Sequence, residues 1–299
     1  MRILLLGGNG QVGRELQRSL ATVGELIVAT RDGEGADVVG DLDQPQSLMT
    51  LIDTIAPDVV VNAAAYTAVD NAETDIDAAW RINAEAPAAI AAACKAVDAL
   101  LVHYSTDYVF DGQATRPYLE DDATAPLGSY GASKLAGEQV IRDSGARHVV
   151  LRTAWVYAAH GKNFLQTMLR LAPERDELRV VADQYGAPTP AAWIADATTA
   201  LLRHGIAASG TWHLTARGET NWHGFANAIM DEAHVVGLLQ RKPAVLPITT
   251  AEYPTPAHRP AYSVLDTTRL QQDFGIEPPE WREGLKQTLR ELSALRSNR

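Results

Sequence analysis

The first half of the chain alternates short apolar runs with stretches whose apolar residues recur at helical spacing. Residues 3–6, 26–29, 38–39, 58–62, 100–104 and 148–151 read as strands, and residues 11–21, 46–55, 76–97 and 129–143 as helices. Pro45, close behind Asp43, reads as a first-turn and cap pair for the second of these helices. The strands are apolar at successive positions rather than at every second one, which calls for a parallel sheet covered on both faces. Beyond residue 150 the pattern loosens, with loop punctuation such as Pro188-Thr189-Pro190 and Pro254-Thr255-Pro256. This half is expected to add elements to the sheet and to build a smaller, mostly C-terminal unit over the strand ends.

Composition narrows the classes. The chain has 299 residues, 46% hydrophobic and 21% charged, with a net charge of -11. That is an ordinary globular balance with enough material for a sizeable core. The acidic excess argues against nucleic acid or an anionic membrane as partner. The greasiest later stretch, residues 86–101, carries Lys95 and Asp98, short of the roughly 20 apolar residues of a membrane helix. The apolar start of the chain is cut off by Gly7-Gly8 before it makes a leader. Cys94 is the single cysteine, so no internal disulfide forms and a reducing, cytoplasmic location is expected.

Three stretches carry chemistry. Gly7-Gly8-Asn9-Gly10-Gln11-Val12-Gly13 lies between the first strand and the first helix, where backbone amides and the helix dipole suit a pyrophosphate; a tight turn without ligand is the competing reading. At the end of the second strand, Thr30-Arg31-Asp32 bears on cofactor choice. An acid there suits the ribose of NAD and a base the 2′-phosphate of NADP. Arg31 favours NADPH, with NADH also open; Asp32 dissents unless turned away, and Arg31 is otherwise a solvated turn residue. Asp41, ending the third strand, suits the adenine amine or is a loop residue.

Tyr130 and Lys134, four apart on a helix, share one face. An ammonium near the phenol lowers its pKa from about 10 and equips it to give a proton to a carbonyl oxygen. Ser105-Thr106 ends the strand of residues 100–104, where open α/β sheets place ligands, with hydroxyls for the same oxygen. The eight histidines show no HExxH spacing, no metal site is expected, and His103 reads as a packed residue with one hydrogen bond. No G-x-S-x-G elbow supports a serine hydrolase.

Together these stretches resemble the extended short-chain dehydrogenase/reductases, and within them the chain is similar to the dTDP-4-dehydrorhamnose reductase family over nearly its whole length. Further matching stretches are Asn62-Ala63-Ala64-Ala65-Tyr66-Thr67, Ser105-Thr106-Asp107-Tyr108-Val109-Phe110, Arg152-Thr153-Ala154-Trp155-Val156-Tyr157 and His258-Arg259-Pro260. The resemblance implies a Rossmann-type doubly wound, mostly parallel sheet with a smaller mixed α/β C-terminal substrate domain. Residues of about 1–153 plus 189–214 would bind the dinucleotide and about 154–188 plus 215–299 the substrate. It implies NADPH-dependent reduction at sugar C4, from dTDP-6-deoxy-L-lyxo-4-hexulose to dTDP-L-rhamnose.

By the same resemblance Tyr130 is the proton donor, Lys134 anchors the cofactor ribose and tunes the phenol, and Thr106 polarises the carbonyl. Gly10, Gln11 and Val12 would meet the pyrophosphate, Asp41 and Leu42 the adenine, and Ala63, Ala64 and Ala65 the cofactor along the fourth strand. Thr67, Val69, Asp107, Tyr108 and Trp155 would face the sugar, Trp155 competing with a plain packing role. Arg259 suits the nucleotide diphosphate or is structural. Members that take NADH readily can carry an acid at the position of Thr30, and its absence here strengthens the NADPH reading. Some members form homodimers around magnesium held by glutamates; Glu15 and Glu291 match, but Ala192 stands in place of one acid, so magnesium is expected to be dispensable. Within the same fold, a 4,6-dehydratase would need an Asp-Glu pair where this chain has Asp107-Tyr108, while a 4-epimerase stays open. A binding-module alternative exists too: a non-catalytic relative serves as regulatory subunit of methionine adenosyltransferase.

Overall fold

The computed structural model describes residues 1–206 and 208–297. In chain order the first half runs β1 (Arg2–Leu6), α1 (Gln11–Leu20), β2 (Glu25–Thr30), β3 (Val38–Val39), α2 (Pro45–Ile55), β4 (Val59–Asn62), α3 (Ile76–Trp80), α4 (Ala86–Ala96), β5 (Leu100–Thr106), α5 (Ser129–Ser144) and β6 (His148–Thr153). The second half adds β7 (Val156–Tyr157), α6 (Phe164–Leu171), β8 (Glu177–Val181), β9 (Tyr185–Gly186), β10 (Thr189–Pro190), α7 (Ala191–His204), β11 (Gly210–His213), β12 (Thr220–Asn221), α8 (Trp222–Val235), β13 (Ala244–Ile248), α9 (Thr268–Phe274) and α10 (Trp281–Ser297).

Seven strands form one sheet in the order β11-β6-β5-β4-β1-β2-β3, every neighbouring pair parallel. Helices cover both faces, as the apolar strands require. Ile3 and Leu5 of β1 pack with Leu16 and Leu20 of α1 and Ile194 and Leu201 of α7. Leu4 and Leu6, pointing the other way, meet Leu48 and Ile52 of α2 and Ile90 of α4. This is the Rossmann-type doubly wound fold, with β11 as the extra sheet element. Strand order reverses between β1 and β4, and the crevice beyond the carboxyl ends of those strands is where such sheets bind ligands.

A separate apolar cluster joins Tyr157, Leu165 and Leu169 to Phe225 and Ile229 of α8 and to Leu285 and Leu289 of α10. Beside it β8 and β13 pair in parallel, and β9 with β12 antiparallel. The 76–97 region is helical as expected, with a π-helical turn, Arg81–Glu85, joining α3 to α4. There Asn83 turns inward to bond the Tyr66 backbone on both sides, its Oδ1 taking the amide at 2.9 Å and its Nδ2 reaching the carbonyl at 3.1 Å. Asp43 does not cap α2; Gln44 holds the cap position without a side-chain bond, and Asp43 is drawn off into an ion pair with Arg81. Among the described residues no helix is long and apolar enough to cross a membrane.

Candidate active site

A cleft of about 900 Å³ opens beyond the carboxyl ends of β1, β4 and β5. Its floor on one side is the turn from β1 into α1. Gly7 sits there at φ +82°, a left-handed backbone that favours glycine, and a Cβ on it would lie 2.7 Å from the Ala64 amide nitrogen. Gly10 caps α1 with no side-chain hydrogen bond, so no side chain competes for the first-turn amides that face the cleft beside Gln11 and Val12. Gly13 does not line the cleft. A Cβ there would strike the Gly7 carbonyl oxygen at 2.0 Å, so its part is to let α1 close onto the turn.

Farther along, Arg31, Asp41 and Leu42 line the cleft, with Arg31 Nε 3.6 Å from Asp41 Oδ1. Thr30 is buried beneath them, its hydroxyl donating to the Glu34 carbonyl at 3.3 Å. Asp32 reaches the cleft edge, but its Oδ1 accepts from the Glu34 amide at 3.0 Å, within its own turn. The exposed guanidinium at this strand end, paired loosely with Asp41, can still meet a phosphate, while Asp32 Oδ1 is committed to the backbone. Ala63, Ala64 and Ala65 continue the wall after β4.

The reactive groups converge where β5 ends. Tyr130, Lys134, Ser105, Thr106, Asp107 and Tyr108 all line the cleft. The Thr106 hydroxyl accepts from the Tyr108 amide at 3.2 Å and donates to Asp107 Oδ1 at 3.1 Å. The Ser105 hydroxyl, expected to serve the carbonyl oxygen of a substrate, is instead committed to Glu138, donating to Oε1 at 2.5 Å. Lys134 Nζ lies 2.6 Å from the Tyr104 carbonyl oxygen and 3.3 Å from His103 Nε2.

These placements set the proton affinities. Burial pulls Lys134 down to about 8, with Glu138 opposing. The Tyr130 phenol does not shift as its spacing from Lys134 predicts. Burial pushes it up to about 12; the Thr106 hydroxyl pulls against this and the Asp107 charge adds to it. The reason is geometric, because Lys134 is drawn down onto β5 instead of toward the phenol. Burial also pushes the Asp107 carboxyl up to about 7, against the neighbouring Ser263 and Thr106 hydroxyls, and its Oδ2 has no partner with hydrogen-bond geometry.

On the far side stand Thr67, Val69, Trp155 and Arg259. Trp155 is both a cleft wall and a packed aromatic: at φ +47° it stacks on Trp222 with centroids 3.6 Å apart. Arg259 Nη2 lies 2.8 Å from Asp70 Oδ2. Desolvation opposes that guanidinium's charge, but the hydrogen bond and charge of Asp70 together with Tyr108 outweigh it and raise the pKa.

Sequence reasoning passed over several neighbours. Trp222, Lys162 and Asn163 line the cleft yet lie in no motif. Behind the reactive groups is a buried ion pair: Arg152 donates to Glu138 Oε1 at 2.9 Å and Oε2 at 2.8 Å, and Arg142 reaches Oε2 at 3.0 Å. Burial pushes the Glu138 carboxyl up, but Arg152, with Ser105 and Arg142, outweighs it and holds the carboxyl below the usual range. His103 has two contacts rather than one, to Asn62 and to Lys134. The only hint of any of this was its position, one turn along the helix or three residues before Thr106.

The family described as the RmlD substrate binding domain matches residues 1–294. The chain belongs to that family. Among RmlD-family proteins, a dTDP-4-dehydrorhamnose reductase of Burkholderia thailandensis is 50% identical, the match covering 98% of this chain and 99% of that one. A crystal structure of a dTDP-4-dehydrorhamnose reductase from Clostridium acetobutylicum is 38% identical with a TM-score of 0.90, covering 98% and 99% of the two chains. A Bacillus anthracis dTDP-4-dehydrorhamnose reductase solved in complex with NADP is 35% identical with a TM-score of 0.89, covering 97% and 99%. The cleft of this RmlD-family chain fits a dinucleotide on its own evidence, since the turn at Gly7 leaves no room for side chains and the α1 amides carry no side-chain cap.

Proposed function

We propose that the chain reduces the C4 keto group of dTDP-6-deoxy-L-lyxo-4-hexulose with NADPH, giving dTDP-L-rhamnose in the last step of dTDP-rhamnose biosynthesis. The observation that carries the reading is the meeting of Tyr130, Lys134 and Thr106 at one strand-end cleft beside an uncapped glycine turn. A dTDP sugar is the partner this implies, in the reducing cytoplasm that a lone cysteine suits.

NADPH, when bound, supplies the hydride that reaches C4. Gly7, Gly10, Gln11 and Val12 would hold its pyrophosphate, Arg31 its 2′-phosphate, Asp41 and Leu42 its adenine, and Ser105 and the Ala63–Ala65 wall would flank it. Thr106 turns its hydroxyl from Asp107 to the sugar carbonyl and polarises it. Tyr130 gives its phenolic proton to the same oxygen. The phenol then carries negative charge, and Lys134, anchored at the cofactor ribose, stabilises that charge until solvent restores the proton. Thr67, Val69, Asp107, Tyr108, Trp155 and Arg259 shape the sugar and diphosphate side. We assign about 1–153 plus 189–214 to cofactor binding and about 154–188 plus 215–299 to substrate binding. The Asp107-Tyr108 pair supports reduction over dehydration, which would need a second carboxylate at Tyr108 as base.

The test is the keto sugar mixed with NADPH and the product identified. Stoichiometric NADPH oxidation with dTDP-L-rhamnose formed is expected. Epimerised or dehydrated sugar without net oxidation, or ligand binding without turnover, would overturn the reading.

A further inference from the structure

Trp155 stands where the chain leaves the seven-stranded sheet. β6 ends at Thr153, and β7 begins at Val156 to pair with β10. Between them Trp155 takes φ +47°, a left-handed backbone that bulky residues avoid and that glycine or asparagine adopts readily. A sequence that needed only the turn would carry one of those. Strain of this kind persists where the surroundings over-determine it, and it gathers at functional sites.

Two contacts hold the ring. Trp222, the first residue of α8, stacks on it with centroids 3.6 Å apart and planes 7° from parallel. Gly186 of β9 leaves the slot, since a Cβ there would lie 2.6 Å from Trp155 Cε2. β9 pairs with β12, which leads directly into α8, so slot and brace belong to one piece of the second half. Phe164 of α6 lies 4.7 Å from the Trp222 ring and joins it to the apolar cluster of α8 and α10. An aromatic that served packing alone would be buried, yet both indoles stay partly exposed and line the cleft.

We infer that Trp222 is a positioning residue for sugar recognition: seated on the apolar cluster of the second half, it braces the strained Trp155 ring in the cleft wall. An indole pair offers apolar surface, suited to the C–H groups of a deoxysugar ring. Removing the brace lets Trp155 relax from its seat, so the sugar binds less well. The proton step runs at Tyr130 and Thr106 and does not depend on the pair. The inference deepens the reductase reading and rests on it for the identity of the sugar, while the stack itself can be tested without substrate.

The experiment compares wild type with Trp222→Leu, Trp222→Phe and Gly186→Ala. Among the described residues Trp155 and Trp222 are the tryptophans that stack on each other, so wild type should show an exciton couplet in far-ultraviolet circular dichroism. Gly186→Ala keeps both indoles but drives a methyl group into the Trp155 ring, and the couplet should weaken. Gly186→Ala and Trp222→Leu should each raise KM for the keto sugar about 5- to 10-fold, with kcat moving far less and NADPH affinity unchanged. Trp222→Phe keeps an aromatic face against Trp155 and should rescue most of that loss. A wild type without the couplet would overturn the inference. So would an unmoved KM in Gly186→Ala or in folded Trp222→Leu, an equal rise in Trp222→Phe, or NADPH affinity falling in step. Should Trp222→Leu not fold, Gly186→Ala decides. Failure of the reductase reading shows separately, as a wild type that keeps the couplet but oxidises no NADPH with the keto sugar.

Discussion

Tyr130 is buried and its phenol is pushed up to about 12, so at neutral pH it holds its proton and is ready to give it rather than take one. Removing that hydroxyl removes a proton donor without touching the glycine turn. Tyr130→Phe is therefore expected to lose about 10²–10⁴-fold in kcat with NADPH affinity nearly unchanged, measured by turnover and by fluorescence titration of the cofactor. Near-normal turnover would end the proton-donor assignment. At the other end of the cleft, Arg31 is exposed and only loosely paired with Asp41, while Asp32 Oδ1 is spent on the Glu34 amide. Arg31→Asp should shift the ratio of kcat/KM for NADPH over NADH toward NADH, and an unchanged ratio would return Arg31 to a solvated turn. Both residues were legible in the sequence because strand end and helix spacing place them. The phenol's direction of shift was not, because spacing along α5 puts Lys134 on the face of Tyr130 but cannot show that β5 captures its nitrogen.

Among elements, the strands and most helices could be read from the chain because a strand buried on both faces is an unbroken apolar run. What stayed hidden was tertiary: the lost cap of α2, whose Asp43 pairs with Arg81, and the π-helical turn from which Asn83 bonds the Tyr66 backbone; neither contact leaves a local trace. The same holds for the clasp between α5 and β6. Glu138 is shielded from solvent and paired with Arg152 at 2.8 Å, and removing Arg152 leaves that buried charge only Arg142 and Ser105. Arg152→Met should therefore cost about 3–5 kcal/mol in urea unfolding. The pH dependence has a definite sign. Because the Glu138 carboxyl is held below its unfolded value of 4.5, its contribution is present above that pH and is lost as pH falls through the folded value. Equal stability of variant and wild type near neutral pH would contradict the clasp.

For the whole molecule, the order of the seven strands puts the reversal point beside β1 and the reactive groups at the end of β5, so one cleft serves both ligands. The alternation of the first half foretold this sheet; the short pairs of the second half, β7 with β10 and β9 with β12, are too brief to leave a pattern. Assembly is a separate question. Glu15 lies 2.9 Å from His160 and 3.5 Å from Arg18, and position 192 is alanine, so this face offers a hard cation few free oxygens. Chelation of divalent metal is expected to leave both the sedimentation coefficient and turnover unchanged; a fall in either would contradict that expectation.

The account as a whole stands on hydrogen delivered to one carbon while Tyr130 protonates the adjoining oxygen. Its most direct test is NADPH deuterated at nicotinamide C4 and turned over with dTDP-6-deoxy-L-lyxo-4-hexulose, with the product read by NMR and mass spectrometry. Using each C4 stereoisomer of the cofactor in turn, the account predicts deuterium at sugar C4 of dTDP-L-rhamnose from one of them, one label per cofactor oxidised. Sugar product without deuterium at C4 from either isomer would contradict it.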